Sequence, residues 1–491
     1  MLPVPPSTHW ILFGLGSKSS SRVLDIHKQT RAEGNARMHK PTVETEALRE
    51  HILTYARTRM GYSTPPLDRP QTVEWLQEKA GQTITEDGLG GMRTLGLFAD
   101  VLAPATISTD HPGYLSFIPN APTEAATLFD LVASASSIYG GSWLEGAGAV
   151  YAENQVISWL AAEAGLPATA GGVFVQGGTL GNLSALVVAR DEAKRKRQAA
   201  GLALPERWKL ICSSEAHSSL KSAAHTMDVD VVLAECGTDG RLTGGQVETA
   251  IETAGDGVFA VVATAGTTNF GIVDRLDEIG LVTKSRGLWF HVDGAYGLAA
   301  ILAPGTKSLF TGTELADSFI VDPHKWLYAP FDACALVYRE PKIARASHTQ
   351  HGEYLDTLTE REEWNPSDYA YHLTRRVRGL PLWFSLATHG AAAYRHAIQA
   401  NIDLAHKIAE EISRRDYLKL VREPMLSVVV FERDGWDHDR YEKWSSELLN
   451  SQLAFVVPSS HMGRANTRFA IVNPQTTFEL LVEILNTMED R

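Results

Sequence analysis

The chain reads as an α/β protein built on a large, mostly parallel sheet. Short β-branched runs alternate with helical patterns from about residue 129 onward, several of those runs are apolar throughout, and polar residues cluster where the runs stop. The candidate strands are 172–176, 208–213, 229–234, 258–264, 288–293, 318–321 and 333–338, with helical segments between them. A strand buried on both faces has no reason to alternate, so unbroken apolar runs point to helices covering both sides of the sheet. Ligands in such sheets bind beyond the carboxyl ends of the strands, which is where chemistry is to be sought.

With 491 residues the chain exceeds one ordinary core, so further domains are expected. Helical patterns at 43–58 and 72–79, interrupted by Pro65, Pro66 and Pro70, form an N-terminal arm. Residues 1–42 are polar and weakly patterned, and read as a loosely ordered extension. After the sheet comes a charged, irregular stretch at 344–368 and a long helical region at 380–415. Strands at 426–432, 455–458 and 467–472, with helices near 441–451 and at the end, make a small α+β domain. The expected division is 1–42 extension, 43–125 helical arm, 126–380 large α/β domain and 381–491 small domain.

Hydrophobic residues at 44% and charged residues at 21% lie near the soluble globular average. A formal charge of -13 repels phosphate at long range, so neither nucleic acid nor an anionic membrane surface is an expected partner. No apolar run reaches spanning length, and the short apolar stretch at 10–15 lacks the basic flank and cleavage site of a signal peptide. Cys212, Cys236 and Cys334 are odd in number and widely spaced, which fits reduced thiols in the cytoplasm and neither a disulfide framework nor a metal site.

Four strand ends form a coherent set. Gly177, Gly178 and Thr179 open a helix, where glycine lets backbone approach an anion and the free N–H groups favour phosphate, although glycine there also serves tight turns. Asp293 emerges from the apolar run before it, either as a helix cap or as the partner of the pyridine nitrogen of pyridoxal phosphate. Lys325, in Asp322-Pro323-His324-Lys325-Trp326, has neighbours ill suited to a solvated surface; burial is expected to lower its pKa and free the amine for Schiff-base formation. His217 sits in a serine-rich turn, as a loop residue or as a ring stacked on a planar cofactor, and Thr267 and Thr268 offer hydroxyls at the same sheet edge.

Together these residues resemble the group II pyridoxal-phosphate-dependent amino-acid decarboxylases, and most closely those acting on aromatic amino acids. The similarity runs from about residue 45 to the C-terminus through His-Pro at 111–112, Gly-Gly-Val at 171–173, Ala-His-Ser-Ser at 216–219, Gly-Thr-Thr at 266–268, His-Val-Asp at 291–293 and Pro-His-Lys-Trp at 323–326. The resemblance implies a fold-type I enzyme of the aspartate aminotransferase type, working as a homodimer with the active site at the interface. It assigns Lys325 to the covalent link with the cofactor, Asp293 to the pyridine nitrogen, His217 to ring stacking and Gly178 with Thr179 to the phosphate. It also places Ala295, Thr268, Asp322 and His324 around the cofactor. The stretch 344–368 corresponds to the family's catalytic loop, with Tyr354 matching the tyrosine that protonates Cα; phenylalanine there goes with aldehyde formation, and tyrosine with the amine.

The segment 111–120 and the stretch from Tyr139 to Trp143 resemble the pocket-forming parts of the aromatic decarboxylases, although apolar clusters of this kind also serve as plain core. Phe117, Asn120 and Tyr139 are the candidate wall residues. An acidic substrate would need a basic group there and only His111 is present, so tryptophan, tyrosine, DOPA or phenylalanine is expected. The competing readings are a non-aromatic substrate, aldehyde-forming chemistry or transamination on the same scaffold, and a non-catalytic scaffold, which would be expected to have lost Lys325 or Asp293.

Overall fold

The computed structural model of the protein describes residues 37–350 and 363–489. Its centre is a seven-stranded sheet of β1 (Gly171–Val175), β2 (Lys209–Ser213), β3 (Asp230–Ala234), β4 (Val258–Thr264), β5 (Trp289–Asp293), β6 (Ser318–Val321) and β7 (Cys334–Tyr338). The strands lie in the order β1-β7-β6-β5-β4-β2-β3. All neighbours are parallel except at β7, which runs antiparallel to both β1 and β6. The expected strands are present with ends shifted by about a residue.

Each central strand sorts its side chains between two apolar layers, as the two-residue period of a strand requires. Phe290 and Val292 of β5 and Phe319 and Val321 of β6 enter one layer, with Phe174, Val261 and the segment 298–303. Trp289 of β5 and Ile320 of β6 enter the other, beneath the helix Gly178–Ala199 that supplies Ala185, Leu186 and Val188. His291, Asp293 and Ser318 therefore belong by register to this second face. They are polar residues with 0%, 4% and 0% exposure inside an apolar layer, and they must find partners within it.

A second, antiparallel sheet has the order β10-β11-β9-β8, from β8 (Leu418–Leu420), β9 (Val428–Arg433), β10 (Pro458–His461) and β11 (Arg464–Ala470). Its own core includes Leu115, Phe431, Trp444, Phe469 and Ile484. The strand expected at 455–458 is displaced, because the backbone of Phe455 is taken up by the arm: Leu115 N–H donates to its carbonyl (3.0 Å) and its own N–H donates to Gly113 (2.8 Å). β10 starts three residues later, and the three-residue β8 was not anticipated. The stretch expected to be irregular begins with a helix, Pro341–His348, whose first residue is a proline of preset φ.

The helical arm comprises Val43–Met60, Val73–Ala80 and Gly91–Leu97. Thr42 and Thr72 cap the first two by accepting from Thr45 and Trp75 N–H, which explains their starts. The long helical region spans Leu380–Ser413 and is interrupted at Gly390, where φ is 77°. No helix among the described residues is long and apolar enough to cross a membrane.

One buried ion pair fastens the helix Trp143–Glu163 to the segment preceding the long helix. Arg375 donates to both oxygens of Glu153 at 2.7 and 2.8 Å and to the Gly140 carbonyl at 2.7 Å, while Gly379 N–H donates to the same carboxylate at 2.8 Å. The two side chains are 1% and 4% exposed. Replacing Arg375 by Met strands a carboxylate in the interior, so Arg375→Met is expected to cost about 3–5 kcal/mol in denaturant unfolding. The double replacement with Glu153→Leu should recover most of that loss.

Candidate active site

The carboxyl ends of β1, β2, β4, β5 and β6 converge on a cavity of about 250 Å³. Its lining includes Gly178, Thr179, His217, Thr268, Asp293, Ala295, Asp322, His324 and Lys325, so nine of the expected site residues meet in one place. They come from sequence positions more than a hundred residues apart, joined by the sheet order. Of the adjacent parallel strands, β5 ends in Asp293 and β6 is followed at once by Asp322, and one further turn carries Lys325.

Lys325 Nζ lies 2.9 Å from Asp322 Oδ2, and His324 Nε2 lies 3.8 Å from the same oxygen. Burial works against the charge on Asp322, but the Lys325 ammonium and the His324 ring outweigh it and hold the carboxyl below its usual range. For Lys325 burial likewise favours the neutral amine, yet the Asp322 carboxylate overrides it and raises the pKa. The expectation that burial lowers the lysine pKa is therefore corrected: the neighbouring carboxylate, invisible as a partner in the linear sequence, decides the sign.

Asp293 is held from two sides. Asn182 Nδ2 donates to its Oδ2 at 2.9 Å, and Ala295 N–H donates to its Oδ1 at 3.2 Å. His217 Nδ1 lies 2.9 Å from Ser219 Oγ and accepts from Ser219 N–H at 3.2 Å. His324 Nδ1 lies 2.7 Å from the Ala333 carbonyl.

The helix Gly178–Ala199 starts at the cavity without a side-chain cap, and the N–H groups of Gly178 and Thr179 are among those a helix leaves without an internal acceptor. A Cβ on Gly178 would stand 3.1 Å from Asp322 Oδ2 and 3.2 Å from Ala295 Cβ, so a side chain there would press on the cavity wall. Thr268 rides on the loop after β4, pinned where the buried Asp274 carboxylate accepts from Thr264 N–H (2.7 Å) and Leu242 N–H (2.8 Å). A primary amine, a carboxylate at a strand end, an imidazole and an uncapped helix start form a donor set that fits pyridoxal phosphate.

The wall residues are placed differently. Phe117 is 56% exposed and tilts against Phe455 at 6.4 Å, Asn120 is buried, and Tyr139 donates to the Leu373 carbonyl at 3.3 Å. None of the three lines the Lys325 cavity. Tyr354 lies outside the described residues, as do residues 1–36.

The cavity also holds residues to which the sequence reading gave no role: Tyr296, whose ring stacks on Trp326 (5.2 Å) and whose hydroxyl meets Ser427 (2.6 Å), and Asp332, paired with Arg378 (2.8 Å). Arg468, 7% exposed, donates to the carbonyl of Thr268. A charged residue inside the apolar run at 467–472 was the available signal for Arg468.

The pyridoxal-dependent decarboxylase conserved domain matches residues 91–433. An aromatic-L-amino-acid decarboxylase from Bacillus atrophaeus is 29% identical over 435 residues, covering 86% of this chain and 89% of its own. Tryptophan decarboxylase 2 of Oryza sativa subsp. japonica is 28% identical, covering 77% and 81%. Among solved structures, Oryza sativa TDC with PLP and tryptamine superposes with a TM-score of 0.84 at 23% identity, over 92% of this chain and 98% of that one. A Rhodiola rosea 4-hydroxyphenylacetaldehyde synthase gives 0.79 at 22%, over 91% and 96%. With its α/β fold, its lysine at the end of β6 and this family match, the chain belongs to the pyridoxal-dependent decarboxylases.

Proposed function

We propose that the protein decarboxylates an aromatic L-amino acid to the amine and carbon dioxide at the Lys325 cavity. The observation that carries this reading is the convergence of Lys325, Asp322, Asp293 and His217 on one cavity beside the uncapped helix start at Gly178. The aromatic preference is supported by the aromatic-amino-acid and tryptophan decarboxylases among the relatives.

Pyridoxal phosphate, when bound, supplies an electron sink for the pair released as the carboxylate leaves. Lys325 would hold it covalently once its ammonium, kept charged by Asp322 Oδ2 at 2.9 Å, has given up its proton. Asp293 would hold the pyridine nitrogen, His217 would flank the ring, and the N–H groups of Gly178 and Thr179 would receive the phosphate. Thr268, Ala295 and His324 complete the surround. Tyr354 would supply the proton to Cα that directs the outcome to the amine; the aldehyde-forming alternative is the reading favoured if that proton is not delivered.

A homodimer in the cytoplasm, with large, small and arm regions divided at 125/126 and 380/381, completes the reading. Leu128, Leu131 and Val132 lie exposed on the helix Glu124–Ala135, and Leu144 and Tyr151 on the helix Trp143–Glu163, an apolar face suited to a second copy. Phe117, Asn120 and Tyr139 would then wall the partner's cavity. The Oδ1 of Asn120 is buried without a hydrogen-bond partner among the described residues, consistent with a group awaiting one.

Mass spectrometry of products from each of the twenty amino acids is expected to show amine and carbon dioxide from an aromatic substrate. Aldehyde with peroxide would instead favour the alternative, and activity on acidic or small substrates alone would overturn the assignment of the wall. Tyr354→Phe should lower amine formation by about 10²–10⁴-fold, the usual range for losing one positioned proton donor. Asp322→Asn removes the charge that raises the Lys325 pKa and leaves burial dominant. Borohydride trapping of pyridoxal phosphate on the cofactor-free variant should then have its pH midpoint below that of the wild type.

A further inference from the structure

From Asn182 and Ser219 in the cavity wall a chain of buried polar groups runs inward to His291, Ser318 and Trp289, none of which has been given a part in the chemistry. Its inner end is Trp289, whose Nε1 donates to Ser318 Oγ at 2.9 Å. Ser318 Oγ lies 2.8 Å from His291 Nδ1, and His291 Nε2 lies 2.9 Å from Asn182 Oδ1. An amide oxygen only accepts, so His291 donates from Nε2. Burial pushes His291 down to about 4, partly offset by Asp293, so the ring is neutral near pH 7 and its Nδ1 is an acceptor. Ser318 must then donate to Nδ1, which the hydrogen bond it accepts from Trp289 leaves it free to do.

The other end of Asn182 divides its two protons. Nδ2 donates to Asp293 Oδ2 and to Ser219 Oγ, each at 2.9 Å. Ser219 thereby accepts and is left to donate to His217 Nδ1, which already receives Ser219 N–H. With Nδ1 accepting, the His217 ring proton sits on Nε2. Asn182, Ser219, His291 and Ser318 are all 3% exposed or less, so water does not compete for these bonds.

We infer that Asn182 is a positioning residue that sets Asp293 and His217 together, through one fixed tautomer of His291 maintained by Ser318 and Trp289. The assignment rests on the cofactor reading given above for Asp293 and His217. Strand periodicity builds the device: Trp289, His291 and Asp293 are alternate residues of β5, and His291 is the register partner of Ser318 on β6. Only a side chain that accepts at one end and donates twice at the other serves at 182, and of the uncharged residues of that length only asparagine does so.

The test uses the full chain. In cofactor-free wild type, nitrogen-15 NMR of the histidine rings is expected to show His291 and His217 each with the proton on Nε2. Asn182→Leu should weaken pyridoxal phosphate binding by roughly 10–100-fold, the effect of losing a hydrogen bond to a charged group, and should lower kcat more than it changes KM. Ser318→Ala, remote from the cavity lining, should release the His291 tautomer and reproduce part of that loss, while Ser318→Thr restores it. A His291 proton on Nδ1 overturns the inference, as does an Asn182→Leu or Ser318→Ala protein that binds the cofactor like wild type with the His217 signals unchanged. Wild type that binds no pyridoxal phosphate would sink the cofactor reading instead, and the ring tautomers would still decide the relay. Thermal unfolding of each variant separates loss of fold from loss of positioning.

Discussion

The site depends on the burial of two carboxylates at the ends of adjacent parallel strands. Asp293 and Asp322 are 4% and 2% exposed, where an uncompensated charge is costly, and each is matched by a different kind of partner. Asp322 faces the ammonium of Lys325, so charge answers charge. Asp293 faces an amide and a backbone N–H, so it is held by dipoles and remains available on its cavity side. Two acids of similar burial are thus compensated in different ways by their surroundings.

The way β6 continues into Pro323–Trp326 makes the first of these matches possible. Asp322 precedes the short helix and Lys325 lies three residues on, the spacing that brings side chains to one face. Trp326 then turns inward to stack on Tyr296, with its indole N–H on Asn401 at 3.0 Å, anchoring the turn from behind. Tyr296 in turn reaches Ser427, just before β9, so the four-stranded sheet buttresses the segment that carries the lysine.

Much of this was legible in the sequence because a polar residue ending an apolar strand announces itself. Lys325, Asp293, Asp322 and His217 each interrupt or follow an apolar run, and the strand bounds follow from the same runs. What stayed hidden were relations between strands. The lysine pKa changes sign with a partner three residues away whose orientation no pattern reveals, and Asn182 looked like part of a glycine turn until the register of β5 and β6 placed His291 and Ser318 below it. β10 was displaced because Phe455 pairs with residues more than three hundred positions earlier, a contact beyond the reach of local propensity.

The separation of Phe117, Asn120 and Tyr139 from the cavity has a similar physical origin. The cavity of about 250 Å³ gathers Lys325, Asp322, Asp293 and His217, and neither Phe117, Asn120 nor Tyr139 lines it. The exposed Phe117, at φ 52°, and the buried Asn120 lie on the segment after His111, which is tied by Leu115 to the four-stranded sheet and not to the Lys325 cavity. Strain at a bulky exposed residue persists where the surrounding structure fixes it, and the pairing of 113–115 with Phe455 supplies that fixture. The Lys325 cavity and the segment 111–120 are thus built on separate elements of one chain. The first is set by the order of strands in the seven-stranded sheet, and the second by its backbone pairing with Phe455 and Ala470 beside the four-stranded one.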